Sequence, residues 1–222
     1  MNRVLWTFKV KADFLPISFV ALFILLFQTG CTPVFSELQS AKLIEKGEFE
    51  VTAARSSVSW DGDHVQDHYG LQVAAGLSEK SNLRLRYEHV ETDDFGLSNS
   101  SGLTAEVISL GLKREIDKDR IALYLPIGFA FGGDIEESKT WAFHPTMLFS
   151  HSVNRHIELN PSLKALIPLS NSNAEILVAF NLGIGISPNI DKWVIRPETG
   201  WLFDPGEEGH YTHFSIGLTI YP

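Results

Sequence analysis

The stretch AEILVAFNLGIGIS, residues Ala174–Ser187, alternates large apolar side chains with small or polar ones. Its even positions carry Ile176, Val178, Phe180, Leu182, Ile184 and Ile186. A period of two predicts a β-strand, because successive strand side chains point to opposite faces. A soluble sheet normally covers its second face with long hydrated side chains, whereas the lumen of a membrane barrel suits Gly, Ala, Ser and Asn. The stretch therefore predicts a strand of a membrane barrel with its large apolar side chains facing lipid.

The same alternation continues from Gly47 to the end of the chain and predicts ten strands with no helix between them. The candidate strands cover residues 47–55, 69–77, 83–90, 103–114, 121–132, 141–150, 157–169, 174–187, 193–203 and 211–221. An even number suits a closed antiparallel barrel, since closure removes sheet edges that lipid cannot satisfy. The predicted fold class is all-β, a closed antiparallel transmembrane β-barrel of about ten strands with up-and-down topology.

Connections between these candidate strands alternate in length, starting with a long one at residues 56–68. Barrels of bacterial outer membranes have short periplasmic turns and longer outside loops. The alternation therefore predicts that the longer connections face out and that both chain ends lie in the periplasm.

Two features interrupt the pattern of a simple barrel. Five prolines fall inside candidate strands, where each removes a ladder hydrogen bond: Pro126, Pro145, Pro161, Pro168 and Pro197. We expect bulges or non-hydrogen-bonded positions there, or strand boundaries that differ. The apolar parity of residues 103–114 also switches near Val107, which predicts a bulge.

The first thirty residues differ from the rest of the chain. Positive Arg3, Lys9 and Lys11 precede the apolar run Phe14–Phe27, which is the pattern of a secretory signal peptide and is short for a membrane-spanning helix. The only cysteine, Cys31, follows Thr29 and Gly30 and resembles the acylated cysteine of the bacterial lipoprotein lipobox. We expect a signal peptide at 1–30, a lipid anchor at Cys31, and a periplasmic tether at 31–46 with a short helical turn around residues 36–44. The barrel domain is then 47–222.

Charge restricts the partners. The net charge of −9 becomes −11 once residues 1–30 are removed, so nucleic acid is excluded as an expected partner. Acidic residues concentrate in the predicted outside loops, where they are either solvated or gather divalent cations through their oxygens. The first and last loops also carry histidines, His64, His68 and His210, but their spacing does not predict a metal site.

Parity places charges of both signs in the lumen. We expect them to pair as a polar network, because an unpartnered charge away from water is strongly disfavoured. The predicted network contains Arg84, Arg86, Glu88, His144, Glu158, Lys164, Arg196, Glu198 and His213. An aromatic girdle on the outer face is predicted from Trp141, Phe149, Trp193, Trp201 and Phe203, since rings recur at both ends of candidate strands.

The lipobox-like start, the ten alternating segments and the final strand FSIGLTIY, residues 214–221, together resemble the small outer-membrane β-barrel proteins of Gram-negative bacteria. The resemblance implies outer-membrane lipids and the barrel-assembly machinery as partners. Members of this family usually end on an aromatic residue, whereas here Pro222 follows Tyr221.

The role expected from these features is structural, adhesive or a minor, porin-like path for solutes, without a catalytic site or cofactor. One alternative is a lipid-modifying enzyme, for which His151 and Ser152 with Glu158, or His144 with Glu158, come nearest to a nucleophile and base. Another is a lipid-anchored, lipocalin-like periplasmic carrier, which would turn the large apolar face inward around an apolar ligand.

Overall fold

The computed structural model describes residues 34–93, 104–132, 140–169, 175–206 and 208–222. The predicted signal peptide and Cys31 lie outside these residues, as do parts of several long connections. No helix in the described ranges is long and apolar enough to cross a membrane.

The described residues form twelve β-strand segments and close into an antiparallel barrel. They are β1 (Phe49–Trp60), β2 (Asp63–Ser78), β3 (Ser81–Thr92), β4 (Thr104–Asp117), β5 (Ile121–Phe131), β6 (Trp141–Phe143), β7 (Thr146–Phe149), β8 (His151–Asn154), β9 (Ile157–Pro168), β10 (Leu177–Ile186), β11 (Trp193–Phe203) and β12 (Tyr211–Ile220). Segments β6, β7 and β8 follow one another along β9 and together take the place of one strand. The strands that surround the lumen, which we call the wall, therefore number ten in the described residues, as predicted. Pairing of β12 with β1, from Val51 with Ile220 to Trp60 with Tyr211, closes it.

The large apolar side chains face outward and the small ones inward. Leu182, Leu218 and Ile220 are between 41% and 48% exposed, while Gly183 and Gly217 are buried. This arrangement confirms the predicted orientation of the strands. It also contradicts the carrier alternative, which needs the apolar face inside.

The first connection was expected to be long and is a two-residue turn instead. Asp61 and Gly62 both have positive φ, 48° and 99°, which is the backbone of a type I′ hairpin turn. Strands β1 and β2 therefore continue through residues 56–60 and 63–68, where a loop was predicted.

No bulge occurs at Val107 or at the prolines, but the pairing of β10 with β11 is interrupted opposite Pro197, between Gly183 with Glu198 and Ile186 with Ile195, which is the non-hydrogen-bonded position expected there. Val107 pairs in register with Glu88 and with Ala130, and the inward face of β4 runs through Ala105, Val107 and Ser109 without interruption. Pro126 pairs in register with Gly111. Pro145 is the case in which the strand boundary differs, because it separates β6 from β7.

Candidate functional site, a lumen filled by residues 34 to 44

The lumen of the barrel contains the chain's own segment Val34–Ile44, which we call the plug. All its residues are buried except Lys42 and Leu43, which are partly exposed. It forms neither helix nor strand. The helical turn expected at residues 36–44 is therefore wrong, and this part of the expected tether runs inside the barrel.

Apolar contacts hold the plug at the mouth where the long connections 93–103 and 132–140 begin and end. Val34 packs in a cluster with Val90, Ala105, Val107 and Ala130. Phe35 packs in a second cluster, whose other buried members are Val58, Val65, Leu166, Ala179 and Leu202. These two clusters form what we call the apolar cap, at this end of the polar part of the lumen.

Wall side chains bind the plug mainly through its backbone. Arg86 donates from its guanidinium to the carbonyl oxygen of Ser36 at 2.6 Å and to its hydroxyl at 2.8 Å, and it also contacts Glu88 at 2.6 Å. The Asn181 amide donates to the Phe35 carbonyl oxygen at 2.8 Å. The wall therefore satisfies the backbone groups that a chain without secondary structure leaves open.

A carboxylate of the wall accepts two successive backbone N–H groups at the middle of the plug. Glu198 accepts the N–H of Glu37 at 2.7 Å and that of Leu38 at 2.8 Å. Leu38 has a φ of +55°, and successive backbone N–H groups leading into a left-handed residue can form a concave anion-binding nest. Glu198 therefore occupies a nest that the plug itself makes.

The plug also contributes one charged group of its own to the network at this level. Glu37 pairs with Lys164 at 2.8 Å and accepts hydrogen bonds from Thr146 at 3.2 Å and Gln39 at 2.6 Å. The Lys164 ammonium also donates to the Val34 carbonyl oxygen at 2.9 Å. Both side chains of the ion pair are at most 3% exposed, so the pair depends on these hydrogen bonds to offset its desolvation.

At the opposite mouth, which holds the turns at residues 79–80, 118–120 and 155–156 and is called the short-turn end, Lys113 reaches the plug from β4. Its ammonium donates to the carbonyl oxygens of Ser40 at 3.1 Å and of Lys42 at 2.8 Å. The hydroxyl of Ser150 accepts the N–H of Ala41 at 2.7 Å. The Lys42 ammonium pairs with Glu158, so an ion pair also joins the plug to the wall at this end.

The plug joins β1 through a turn that presses against the wall. The N–H of Gly47 donates to the carbonyl oxygen of Gly76 at 3.0 Å, and the N–H of Gly76 donates to Glu48 at 3.0 Å. A Cβ at Gly76 would overlap the carbonyl oxygen of Glu45, so a residue without a side chain is required.

All nine residues predicted for the lumen network are buried in the structure. Arg84 pairs with Glu50 and donates to Gln72 at 2.9 Å, and Arg196 donates to Asn160 at 2.8 Å. His213 contacts Asn181 at 3.1 Å. His144 instead has no hydrogen-bond partner for its Nε2 among the described residues.

The predicted girdle residues lie on the outer face. Trp141, Phe149 and Phe203 are 46%, 38% and 44% exposed, and Trp193 and Trp201 are partly exposed. The stacked pair Phe180 and Trp201, with centroids 6.2 Å apart, extends the aromatic surface across β10 and β11.

Glu37, Glu50 and Lys113 are also buried members of the network, and they were not predicted from the sequence. Lys113 follows Val107, Ser109 and Gly111 at intervals of two, and the expected bulge at Val107 concealed this parity. No sequence pattern indicated that Glu37 is buried, because the plug contacts the wall on several sides and its residues follow neither a strand period nor a helix period.

Among the residues considered for catalysis, Ser152 pairs in register with Glu158, and the Lys42 ammonium contacts both side chains. His151 and Ser152 are exposed on β8, and the Ser152 hydroxyl contacts the Lys42 ammonium at 3.2 Å. His68 is buried, whereas His64 is exposed and contacts Asp93 at 2.6 Å. In the described ranges, no three His, Cys, Asp or Glu side chains are grouped as metal ligands would be.

Acidic residues of the predicted loops partly belong to strands. Asp67 pairs with Arg55 at 3.4 Å, and Glu91 contacts His89 at 3.4 Å. Asp94, Asp134, Glu136, Glu137 and Glu207 lie outside the described residues.

Little space remains between the plug and the wall. A cavity of about 10 Å³, room for one water molecule, is lined by Glu37, Arg86, His144 and Lys164 among others. A groove of about 440 Å³ opens on the surface at the short-turn end, beside Lys42, Ser152 and Arg155. Neither forms a path through the described part of the lumen.

No protein-family model matches the chain, and no curated protein matches its sequence. Among solved structures it resembles the translocator domain of the autotransporter NalP from Neisseria meningitidis, with 7% identity over 92% of this chain and 95% of that one and a TM-score of 0.43. It also resembles a de novo designed transmembrane β-barrel, with 10% identity over 81% and 98% of the two chains and a TM-score of 0.38. Ail, the attachment invasion locus protein of Yersinia pestis, is 15% identical over 79% and 98%, with a TM-score of 0.35. Similarity at this level concerns the fold alone.

Proposed function

We propose that this chain is a bacterial outer-membrane β-barrel protein with a structural role, whose lumen its own plug keeps closed. The outward apolar face supports insertion into lipid, since exposed residues such as Leu110, Ile127 and Leu182 lie on several strands of the wall. In this role the outer face of the barrel contacts the lipids of the outer membrane, and the barrel-assembly machinery inserts the protein. Acidic side chains beyond the apolar face contact headgroups and their divalent cations.

The main support for a closed lumen is the set of buried contacts between the wall and the plug. Withdrawing the plug would leave Lys113 without the two carbonyl oxygens that it contacts, and Lys164 without Glu37. Breaking a buried ion pair by removing one partner costs about 3–5 kcal/mol. Opening the lumen would break several such contacts together, so the resting protein is closed.

Conductance across a planar bilayer tests this role, with a disulfide lock as the discriminating variant. A Cβ at position 217 would lie 3.6 Å from the Cβ of Leu38, which fits a disulfide, for which Cβ atoms are about 3.5–4.5 Å apart. We expect no steady conductance from the wild type or from Leu38→Cys/Gly217→Cys. The single Leu38→Cys variant is the control for the substitution itself.

Two other outcomes contradict the proposal in different ways. Conductance in the wild type that disappears when the disulfide forms would show that the plug moves and that the protein passes solutes. Conductance that persists with the disulfide closed would show that the plug does not seal the lumen.

Membrane insertion is tested separately by fractionation and by electrophoresis before and after boiling. Extraction by detergent alone and a mobility shift on heating are expected, because a closed barrel in lipid resists unfolding. Recovery of Cys31→Ala in the soluble fraction without a heat shift would reject the membrane assignment.

A further inference from the structure

The plug follows the lumen in one direction, from one mouth to the other. Val34 lies with Val90 and Ala130, near the ends of β3 and β5 from which the long connections leave. Ala41 lies with Ala122 at the start of β5, beside the turn at residues 118–120. Its first described residue is therefore at the long-connection mouth and its last is at the short-turn mouth.

The length of the plug is sufficient to cross the membrane. Ten steps separate Val34 from Ile44, and extended chain advances at most about 3.3–3.6 Å per residue, which gives roughly 33 Å. The apolar band of an outer-membrane barrel is about 25 Å tall. The extended length of the plug therefore exceeds the height of the band, which agrees with its contacts near both mouths.

The carboxyl terminus lies at the other mouth. The N–H of Tyr221 donates to the carbonyl oxygen of Lys192 at 2.9 Å, in the connection between β10 and β11. That connection is at the same end as the turn at Glu79 and Lys80, because alternate connections of an antiparallel wall share an end. The chain therefore enters and leaves the barrel at opposite mouths.

We infer that the chain before Val34 emerges on the cell surface, on the side of the long connections, and that the carboxyl end lies in the periplasm. The inference rests on the proposed outer-membrane location, since long loops of such barrels face outward. It replaces the expectation that both ends lie in the periplasm. The plug is thus the means by which the mature amino terminus crosses the membrane.

This path determines the leaflet available to an amino-terminal lipid. Three steps along the chain, through Thr32 and Pro33, separate Cys31 from Val34, a reach of at most about 11 Å. An acyl group on Cys31, as expected from the lipobox-like sequence, therefore enters the outer leaflet. A periplasmic-leaflet anchor would require the chain to return through a lumen that the plug already fills.

Labelling of single added thiols in intact cells tests the inference. Pro33→Cys adds a thiol immediately before the plug, and Pro222→Cys adds one at the other end. The probe is a polyethylene-glycol maleimide too large to cross the outer membrane, read as a shift in gel mobility. We expect Pro33→Cys to shift in intact cells and Pro222→Cys to shift only after permeabilisation. The wild type, with Cys31 alone, gives the background.

A shift of Pro33→Cys only after permeabilisation would overturn the inference. If the apolar cap shields that thiol in all conditions, an epitope inserted between Cys31 and Thr32 replaces it. Antibody binding to intact cells then supports a surface amino terminus, and binding only to permeabilised cells rejects it. Failure of the membrane assignment itself is distinguishable, because such a protein would lack the heat shift and the detergent requirement.

Discussion

Glu198 on β11 and Leu38 in the plug are joined by a hydrogen bond of 2.8 Å from the Leu38 N–H to the Glu198 carboxylate. The second carboxylate oxygen accepts the N–H of Glu37 at 2.7 Å. A positive φ at a leucine is uncommon and costs roughly 1–2 kcal/mol, so the surrounding structure must compensate for it. The carboxylate provides that compensation, and it connects the middle of the plug to the wall.

Replacing Glu198 should therefore loosen the plug. Glu198→Ala leaves two buried N–H groups without an acceptor, and each such group costs about 1–3 kcal/mol. We expect the free energy of unfolding to fall by at least about 2 kcal/mol, measured by urea unfolding in lipid vesicles. Glu198→Gln keeps one acceptor oxygen and should lose less. An unchanged Glu198→Ala variant would show that this contact does not support the plug.

The ion pair between Glu37 and Lys164 should show strong coupling. Glu37→Gln leaves the Lys164 ammonium buried without its carboxylate, and we expect a loss of about 3–5 kcal/mol in the free energy of unfolding. The double variant Glu37→Gln/Lys164→Met removes the unpaired charge and should recover part of that loss. Additive effects in this double-mutant cycle would contradict a direct pair.

Alanine substitutions at two glycines should differ in their effect on folding, because one glycine lies against the turn after the plug and the other lies beside Leu38 in its middle. Gly76→Ala places a methyl group against the carbonyl oxygen of Glu45, whereas a Cβ at Gly217 would lie 3.3 Å from Thr52 and 3.5 Å from Leu38. We expect Gly76→Ala to lower the yield of heat-shifting, folded barrel and Gly217→Ala to stay near wild type. Equal yields would indicate that the turn at residues 45–48 adapts.

Charges on the outer face should be tolerated only outside the apolar band. Leu110 is 51% exposed on β4, in a row of apolar residues that includes Leu85 and Ile127. Leu110→Arg should cost about 2–4 kcal/mol on folding into vesicles, as an arginine does at the bilayer midplane. Asp117→Arg, at the end of the same strand, is the matched control and should fold normally. Normal folding of both would argue that Leu110 does not face lipid.

The sequence was sufficient for the wall because strand faces are encoded locally. Alternation predicts that Phe180 and Leu182 are exposed and that Gly183 is buried, whichever strands lie beside them. The prediction of strands failed at residues 56–68, because β1 and β2 carry polar side chains on both faces there and the apolar alternation is lost. The dipeptide Asp61-Gly62 was a turn signal within that stretch.

By itself, then, the sequence determined an all-β barrel of ten strands with an apolar exterior, most of its strand positions and the inward direction of nine charged or histidine side chains. The tertiary structure alone decided what fills the lumen. Glu37 and Leu38 meet Glu198 across 161 and 160 positions of sequence. The plug has no period of its own, because the closed wall surrounds it and satisfies its backbone from several sides. Such contacts exist only after the barrel has closed, and no local pattern encodes them.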